Sequence, residues 1–423
     1  MNIIKSEYIF IEPFPQSGFL LERNHFVYRY FLFKRLIRYI KSTNYIKQHD
    51  WVYRPVRFIY VFLAWFMPSR LVNLLSNKYA LATGLEYFTT LSNQVKAIVL
   101  KNKDILNYSP VFLIEDFTIR KKRNSRGFKA VVFLLSPLDG TPKHILKLAT
   151  YDGGINALKR ENEIIEQVRG IDNLQNIKLP RTIKYEKIGE IIYIIEEYLD
   201  GIHMDYDLPV SKHMVFNKKV IEHFKLAFNA MGELHNKTKI KEMPLTNTLI
   251  EEFVERTVKP FKIGPMQGQY KNIKIKLVEI LSQYKGKYVP YSFVHGDFVP
   301  SHCIIRKNGI NVVDWESGQP EWLSFDEPFY FTINYIMRVI RSEDSVLLKN
   351  DLIDLIKCTK DWSKLLNAAI SEYSFTRNDY LDLKYFIRFR SLEILFDAIN
   401  KEPKKTKENE ILINDLLIGL NDA

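Results

Sequence analysis

The spacing of hydrophobic positions changes period twice along this chain of 423 residues. Up to about residue 108 the pattern is helical, as in HFVYRYFLFKRLIRYIK. From about residue 109 apolar and other residues alternate in VFLIEDFTIR, FKAVVFLL and KHILKLA, with turn formers at Asn124-Ser125-Arg126-Gly127 and Asp139-Gly140. Three antiparallel strands are predicted. A helix follows from about Gly154 to Val168, then two more strands, RTIKYEKI and IIYIIEEYL, about the turn Gly189-Glu190. Beyond Asp200 apolar residues recur every three or four positions, for example in VIEHFKLAFNAMGELHNKT and YFIRFRSLEILFDAIN. One stretch, 290 to 316, departs from this: YSFVHGD and INVVDWE each put an acid directly after a short apolar strand, on either side of Lys307-Asn308-Gly309. The two strands are expected side by side on one hairpin.

Candidate chemistry falls where these patterns meet. Lys147 stands in the third strand with apolar neighbours on both sides. In LKRENEIIEQV the residues Leu158, Glu161, Ile165 and Val168 share one helical stripe, which turns Glu161 toward the sheet and Glu163 away from it. A carboxylate on an apolar face is costly unless paired, so a Lys147–Glu161 ion pair accounts for both residues. A surface lysine and a solvated glutamate at the edge of the stripe is the plainer reading. Asp297 follows Gly296 in FVHGDF, and Asp314 closes NVVDWE seventeen residues later. Paired acids at strand ends are suited to Mg²⁺, although either one alone reads as a turn cap.

Charge and composition change the picture mainly at the N-terminus. Of the net charge of +12, residues 23–72 contribute +9, from ten Lys/Arg against Asp50 alone. This aromatic, basic block suits an anionic membrane surface, or equally a helical extension packed on the rest of the chain. Its longest apolar run, Phe58 to Met67, falls short of the roughly 20 residues a spanning helix needs. No nucleic-acid motif accompanies it, so nucleic acid is not expected as a partner. Two cysteines form no disulfide framework, and the opening MNIIKSEYIFIEPFPQSGF has no secretory leader pattern. The expected location is cytoplasmic, with a peripheral place on the inner face of the membrane if the basic block docks there.

Four motifs in order, IIEEYLDG at 194–201, MGELHN at 231–236, VHGDF at 294–298 and VDWE at 313–316, make the chain resemble the aminoglycoside phosphotransferase and choline kinase superfamily over roughly residues 109–400. The resemblance implies an α+β, bilobal protein-kinase-like fold. The small antiparallel-sheet N-lobe would be 109–199 and the helical C-lobe 200–423; residues 1–108, read from their pattern and charge as a basic, aromatic-rich helical extension, lie outside the resemblance. It further implies Asp297 as catalytic base or orienting group, Asp314 as Mg²⁺ ligand, and Lys147 with Glu161 as the pair that binds the phosphates of ATP. The backbone at Glu197 and Leu199 would read adenine, Ser125 to Phe128, with Gly127, would form the turn covering the nucleotide, Glu316 would support the metal, and Asp326 would brace the catalytic loop. His302 stands where the family pattern has asparagine, which puts a nitrogen donor at the second metal position.

The activity this implies is an ATP-dependent phosphotransferase moving the γ-phosphoryl group to a hydroxyl of a small molecule, sugar or lipid-linked saccharide. The alternative is a pseudokinase that binds nucleotide or a partner without efficient turnover, for which His302 is the best argument. A metal-dependent phosphohydrolase would need a further His/Asp cluster that the sequence does not offer.

Overall fold

The computed structural model describes residues 8–14, 17–22 and 85–421, apart from 109–110, 123–124, 137–140, 172, 210, 264–265, 308, 341–344 and 401–405. The basic block at 23–72, and with it the membrane-surface expectation, lies outside the described residues. No described helix is long and apolar enough to cross a membrane. The chain divides into two compact units, Met1–Asn162 with Arg181–Tyr198, and Glu163–Pro180 with Leu199–Ala423.

In the first unit, residues expected to belong to a helical extension form a β-hairpin instead, β1 (Tyr8–Phe14) and β2 (Ser17–Glu22). Pro13 and Pro15 oppose a helix there, because proline has no N–H to donate and clashes with the preceding turn. Helix α1 (Leu85–Lys101) and the short α2 (Lys103–Leu106) follow. Strands β3 (Val111–Lys122), β4 (Ser125–Leu135) and β5 (Pro142–Ala149) are the three predicted from alternation. After helix α3 (Asp152–Arg169) and the short β6 (Ile177–Lys178), strands β7 (Thr182–Ile188) and β8 (Ile191–Glu197) complete an antiparallel sheet of order β3-β4-β5-β8-β7. Alternation sorts its two faces. Leu146 and Leu148 of β5, with Val132, Leu134, Tyr193 and Ile195, pack against Leu91, Val95 and Ile98 of α1. On the opposite face Ala149 and Ile194 pack with Leu158 of α3.

The second unit is mainly helical. Helix α5 (Lys218–Lys237), preceded by the one-turn α4 (Met204–Asp207), buries Phe224, Phe228, Met231 and Leu234. The same core takes in α8 (Asp326–Ile340) and α11 (Leu383–Asn400), with α6 (Asn247–Val258), α7 (Tyr270–Ser282), α9 (Ser345–Lys357) and α10 (Lys360–Ile370) completing the helical order before α12 (Thr406–Asn421). Two small sheets interrupt the helices. Strand β11 (Tyr288–Val294) lies between β10 (Lys241–Pro244) and β14 (Gln319–Leu323), while β12 (Cys303–Arg306) and β13 (Gly309–Val312) form a hairpin in the sheet β6-β13-β12-β9, where β9 is Ile202–His203.

This corrects the hairpin expected from the sequence. The strand before Asp297 is not the neighbour of the strand before Asp314; β12, only four residues long, occupies that place. Its Cys-Ile-Ile run is too short to show alternation, so the sequence reads there as loop.

Candidate active site

Lys147 points from the middle of β5 to the α3 face, as alternation requires when Leu146 and Leu148 face α1. Its Nζ lies 2.5 Å from Glu161 Oε1 and 2.5 Å from Glu196 Oε1. Both carboxylates are buried, with side-chain exposures of 1% and 2%. The predicted pair is therefore one edge of a three-member group. Glu196 belongs to it because Lys147 sits opposite Ile194 in the β5–β8 register, and a residue two positions along the same strand shares its face. Parity along IIYIIEE already puts Glu196 on the Ile194 face, but only the register puts that face beside Lys147.

In the second unit, the loop after β11 presents Asp297, whose side chain is 49% exposed. Gly296 has φ +79°, and a Cβ there would sit 2.2 Å from the carbonyl oxygen of Ser317. Only glycine accommodates both the left-handed backbone and that approach. The buried His295 ties the loop to its neighbour: Nδ1 accepts from the Asp297 N–H at 3.2 Å, so Nε2 carries the proton and donates to the Val313 carbonyl at 3.1 Å. Burial drives the His295 pKa down, which keeps this neutral tautomer. The ring also meets Trp315 edge-on at 4.4 Å, and Trp315, itself buried, donates its indole N–H to Val312.

A second brace comes from Glu327. Its Oε1 accepts the Gly296 N–H at 2.9 Å and its Oε2 takes a hydrogen bond from His235 Nε2 at 2.8 Å. His235 in turn accepts from the Tyr373 hydroxyl at 2.7 Å. The sequence reading gave this bracing role to Asp326, and the structure corrects it by one residue. Asp326 instead accepts from Arg390 Nε at 3.2 Å and from Trp322 Nε1 at 3.1 Å. Adjacent residues in the first turn of α8 project about 100° apart around the axis, so one faces the loop and the other Arg390.

Asp314 lies at φ +69°, ψ +60°, the left-handed region that few non-glycine residues adopt, and leads into the short turn Trp315–Ser317. Its side chain is 42% exposed. His302 joins the two aspartates. Its Nδ1 is 2.9 Å from the Asp297 carbonyl and 3.5 Å from Asp297 Oδ2, and its Nε2 is 3.3 Å from Asp314 Oδ2. The carboxylates thus converge through a loop and an imidazole rather than across paired strands. Cys303, next in sequence, is fully buried and its thiol is pushed up in pKa by that burial, so it offers no thiolate.

The remaining predicted residues are placed as follows. Glu197 ends β8, and its N–H donates to the Arg181 carbonyl at 3.0 Å. Leu199 is buried at the start of its segment in the second unit. Glu316 is half-buried in the turn after Asp314. Ser125 and Gly127 do not form a turn: both lie in β4, paired with Lys122 and Arg120 of β3. The β3–β4 ladder runs as far as Lys122 opposite Ser125.

No family model and no curated protein matches this chain. Among solved structures it is similar to a glucosamine kinase (13% identity, 72% of this chain and 80% of that one, TM-score 0.39). It is also similar to a choline kinase from Streptococcus pneumoniae (11%, 78% and 100%, TM-score 0.32). A third is an aminoglycoside phosphotransferase in a ternary complex with AMP-PNP and hygromycin B (11%, 72% and 94%, TM-score 0.32). The α+β architecture rests on strand order and helix content: a five-stranded antiparallel sheet with helices packed on its two faces in the first unit, and a mostly helical second unit.

Proposed function

We propose that this chain is an ATP-dependent phosphotransferase that moves the γ-phosphoryl group to a hydroxyl of a small molecule, sugar or lipid-linked saccharide. The observation that carries the reading is the convergence of Asp297 and Asp314 on His302, on a loop fixed by His295 and Glu327. In this reading the acceptor oxygen forms a bond to the γ-phosphorus, the bond to the β–γ bridging oxygen breaks, and ADP leaves. Asp297 orients the hydroxyl and takes its proton. Lys147, held by Glu161 and Glu196, serves the phosphates.

Mg²⁺ is the cation such a reaction uses, and when bound it would neutralise charge on the phosphates. Among the described residues no three His, Cys, Asp or Glu are arranged to hold a metal by themselves. That suits Mg²⁺, which takes one or two carboxylates and completes its shell with phosphate and water. Asp314 would hold it, with Glu316 two residues on in support.

The test is a thermal-shift titration with ATP and Mg²⁺ on the wild type and on Asp314→Ala, together with ATP consumption over a panel of hydroxyl acceptors. Stabilisation that needs Mg²⁺ and fails in the variant is expected. So is a fall in turnover of about 100-fold or more in Asp297→Asn with nucleotide binding retained. Unchanged turnover in Asp297→Asn would overturn the assignment. A second reading, nucleotide binding without turnover, is favoured by His302 and predicts Mg²⁺-dependent stabilisation with no consumption of ATP by any acceptor.

A further inference from the structure

We infer that the groove along helix α6, with Trp322 and Tyr330 at its end, binds an oligosaccharide, which makes the acceptor a sugar chain of several rings rather than a single small molecule. The step from binding to acceptor rests on the phosphotransferase reading of Asp297; the groove goes beyond it.

The first observation is the groove. Asn247, Glu251 and Glu255, with Thr248, Glu252 and Arg256 beside them, fall at helical spacing on one face of α6 and, with α7, line an open cavity of about 740 Å³. At 1.5 Å per residue the stripe from Asn247 to Arg256 is about 14 Å long, more than one sugar ring covers. Its chemistry is equally specific. No aliphatic side chain lines the cavity, and its seven charged residues, four basic and three acidic, nearly cancel. Glu255 is held in place by the Tyr270 hydroxyl at 2.8 Å and by Lys274 at 2.9 Å. An apolar ligand or an amphipathic peptide helix needs a hydrophobic lining, and a phosphate backbone needs an excess of positive charge. An uncharged chain of hydroxyls, each both donor and acceptor, satisfies carboxylates and ammonium groups alike.

The second observation is at Arg256, where the groove ends. Its Nη2 donates to the Tyr330 hydroxyl at 3.1 Å, and its Nη1 lies 3.8 Å from Asp326 Oδ2, the oxygen that accepts from Trp322 Nε1 at 3.1 Å. The buried Arg390 holds the other Asp326 oxygen. Both aromatic side chains are thus fixed by their polar tips while remaining 41% (Trp322) and 38% (Tyr330) exposed. Rigid rings with an apolar face and a polar end give contact area at low entropic cost, and the C–H faces of sugar rings stack on them. Glu327, next to Asp326, accepts the Gly296 N–H beside Asp297. The groove, the two rings and the Asp297 loop are therefore joined in that order through Arg256, Asp326 and Glu327.

The experiment is titration calorimetry of the full chain, without nucleotide, with cellotetraose, chitotetraose and maltotetraose and with glucose and N-acetylglucosamine, alongside ATP consumption with the same sugars. At least one tetrasaccharide should bind about 10-fold or more tightly than its monomer. That affinity should fall about 10-fold or more in Trp322→Ala and in Tyr330→Ala, and be largely kept in Trp322→Phe, which retains an aromatic face. Each variant stands as a test if the other fails to fold. No tetrasaccharide binding, or binding unchanged in both alanine variants, would overturn the inference, and so would binding of a single-stranded oligothymidylate in place of the sugars. Either result leaves the phosphotransferase reading standing if a small hydroxyl acceptor still drives ATP consumption that depends on Asp297. Tetrasaccharide binding with the expected losses, but no ATP consumption with any acceptor, would overturn the phosphotransferase reading and keep the groove as a saccharide site.

Discussion

Lys147 shows how one buried side chain can answer two charges at once. It stands between two buried carboxylates, Glu161 and Glu196, each 2.5 Å away. Replacing it by Met leaves both acids buried without their cation, and breaking a buried pair from one side costs about 3–5 kcal/mol. Urea denaturation should show a loss of that size in Lys147→Met. Adding Glu161→Gln and Glu196→Gln to that background should recover much of it, because neutral amides are less costly to bury than unpaired carboxylates. Gly296 is constrained differently, by backbone. Gly296→Ala must adopt φ +79° and bring a Cβ against Ser317, so a loss of about 1–3 kcal/mol in stability is expected from the backbone term alone.

At the scale of elements, the loop between β11 and β12 is positioned by helices that lie far from it in sequence. Glu327 of α8 accepts from Gly296, and His235 of α5 with Tyr373 beyond α10 completes the chain of hydrogen bonds. Glu327→Ala strands a backbone N–H and an imidazole, at about 1–3 kcal/mol for each unsatisfied group. Hydrogen–deuterium exchange of the 295–299 segment should accelerate in Glu327→Ala and stay near wild type in Asp326→Asn, whose effect is confined to Arg390 and Trp322. Faster exchange in Asp326→Asn alone would return the bracing role to Asp326. Helix α1 plays a comparable part in the first unit. Truncation at residue 108 removes Leu91, Val95, Ile98 and Leu106 from the sheet core, at about 1.5–3 kcal/mol for each side chain. Truncation at residue 84 keeps them, so it should give the more stable protein by thermal unfolding.

For the molecule as a whole, buried histidines set the response to acid. Burial lowers the pKa of His295, and lowers that of His223 against the opposing pull of Asp207. Both are neutral in the folded chain at a pH where they bind protons once unfolded. Below about pH 6.5 the unfolded state therefore holds more protons, and stability falls as pH falls, by up to about 1.4 kcal/mol per pH unit for each group. Urea unfolding at pH 7.5 and pH 5.5 should differ by about 1–3 kcal/mol, in favour of the higher pH. A rise in stability on acidification would contradict the neutral state of His295 on which the hydrogen bond from the Asp297 N–H depends.

Much of this was legible in the residues. Alternation marked out β3, β4, β5, β7 and β8, since strands whose two faces differ in burial leave a period-two trace, and helical spacing marked the second unit. The Lys147–Glu161 pair followed from the cost of burying either charge alone. Glu196 did not, because strand register is a tertiary quantity: parity names the face of a residue, not what lies opposite it. The assignment of Glu327 rather than Asp326 to the loop depended on the rotation of α8 about its axis, which two adjacent acids in a sequence cannot show. The approach of Asp297 to Asp314 was expected from a hairpin that does not exist, and it arises from a loop and a histidine instead. The sequence by itself determined which segments become strands and helices and which charges need partners, because those depend on local period and on desolvation. Which partners they meet was decided by the tertiary structure alone, through register, helix rotation and the path of a loop, none of which is written in the spacing of residues along the chain.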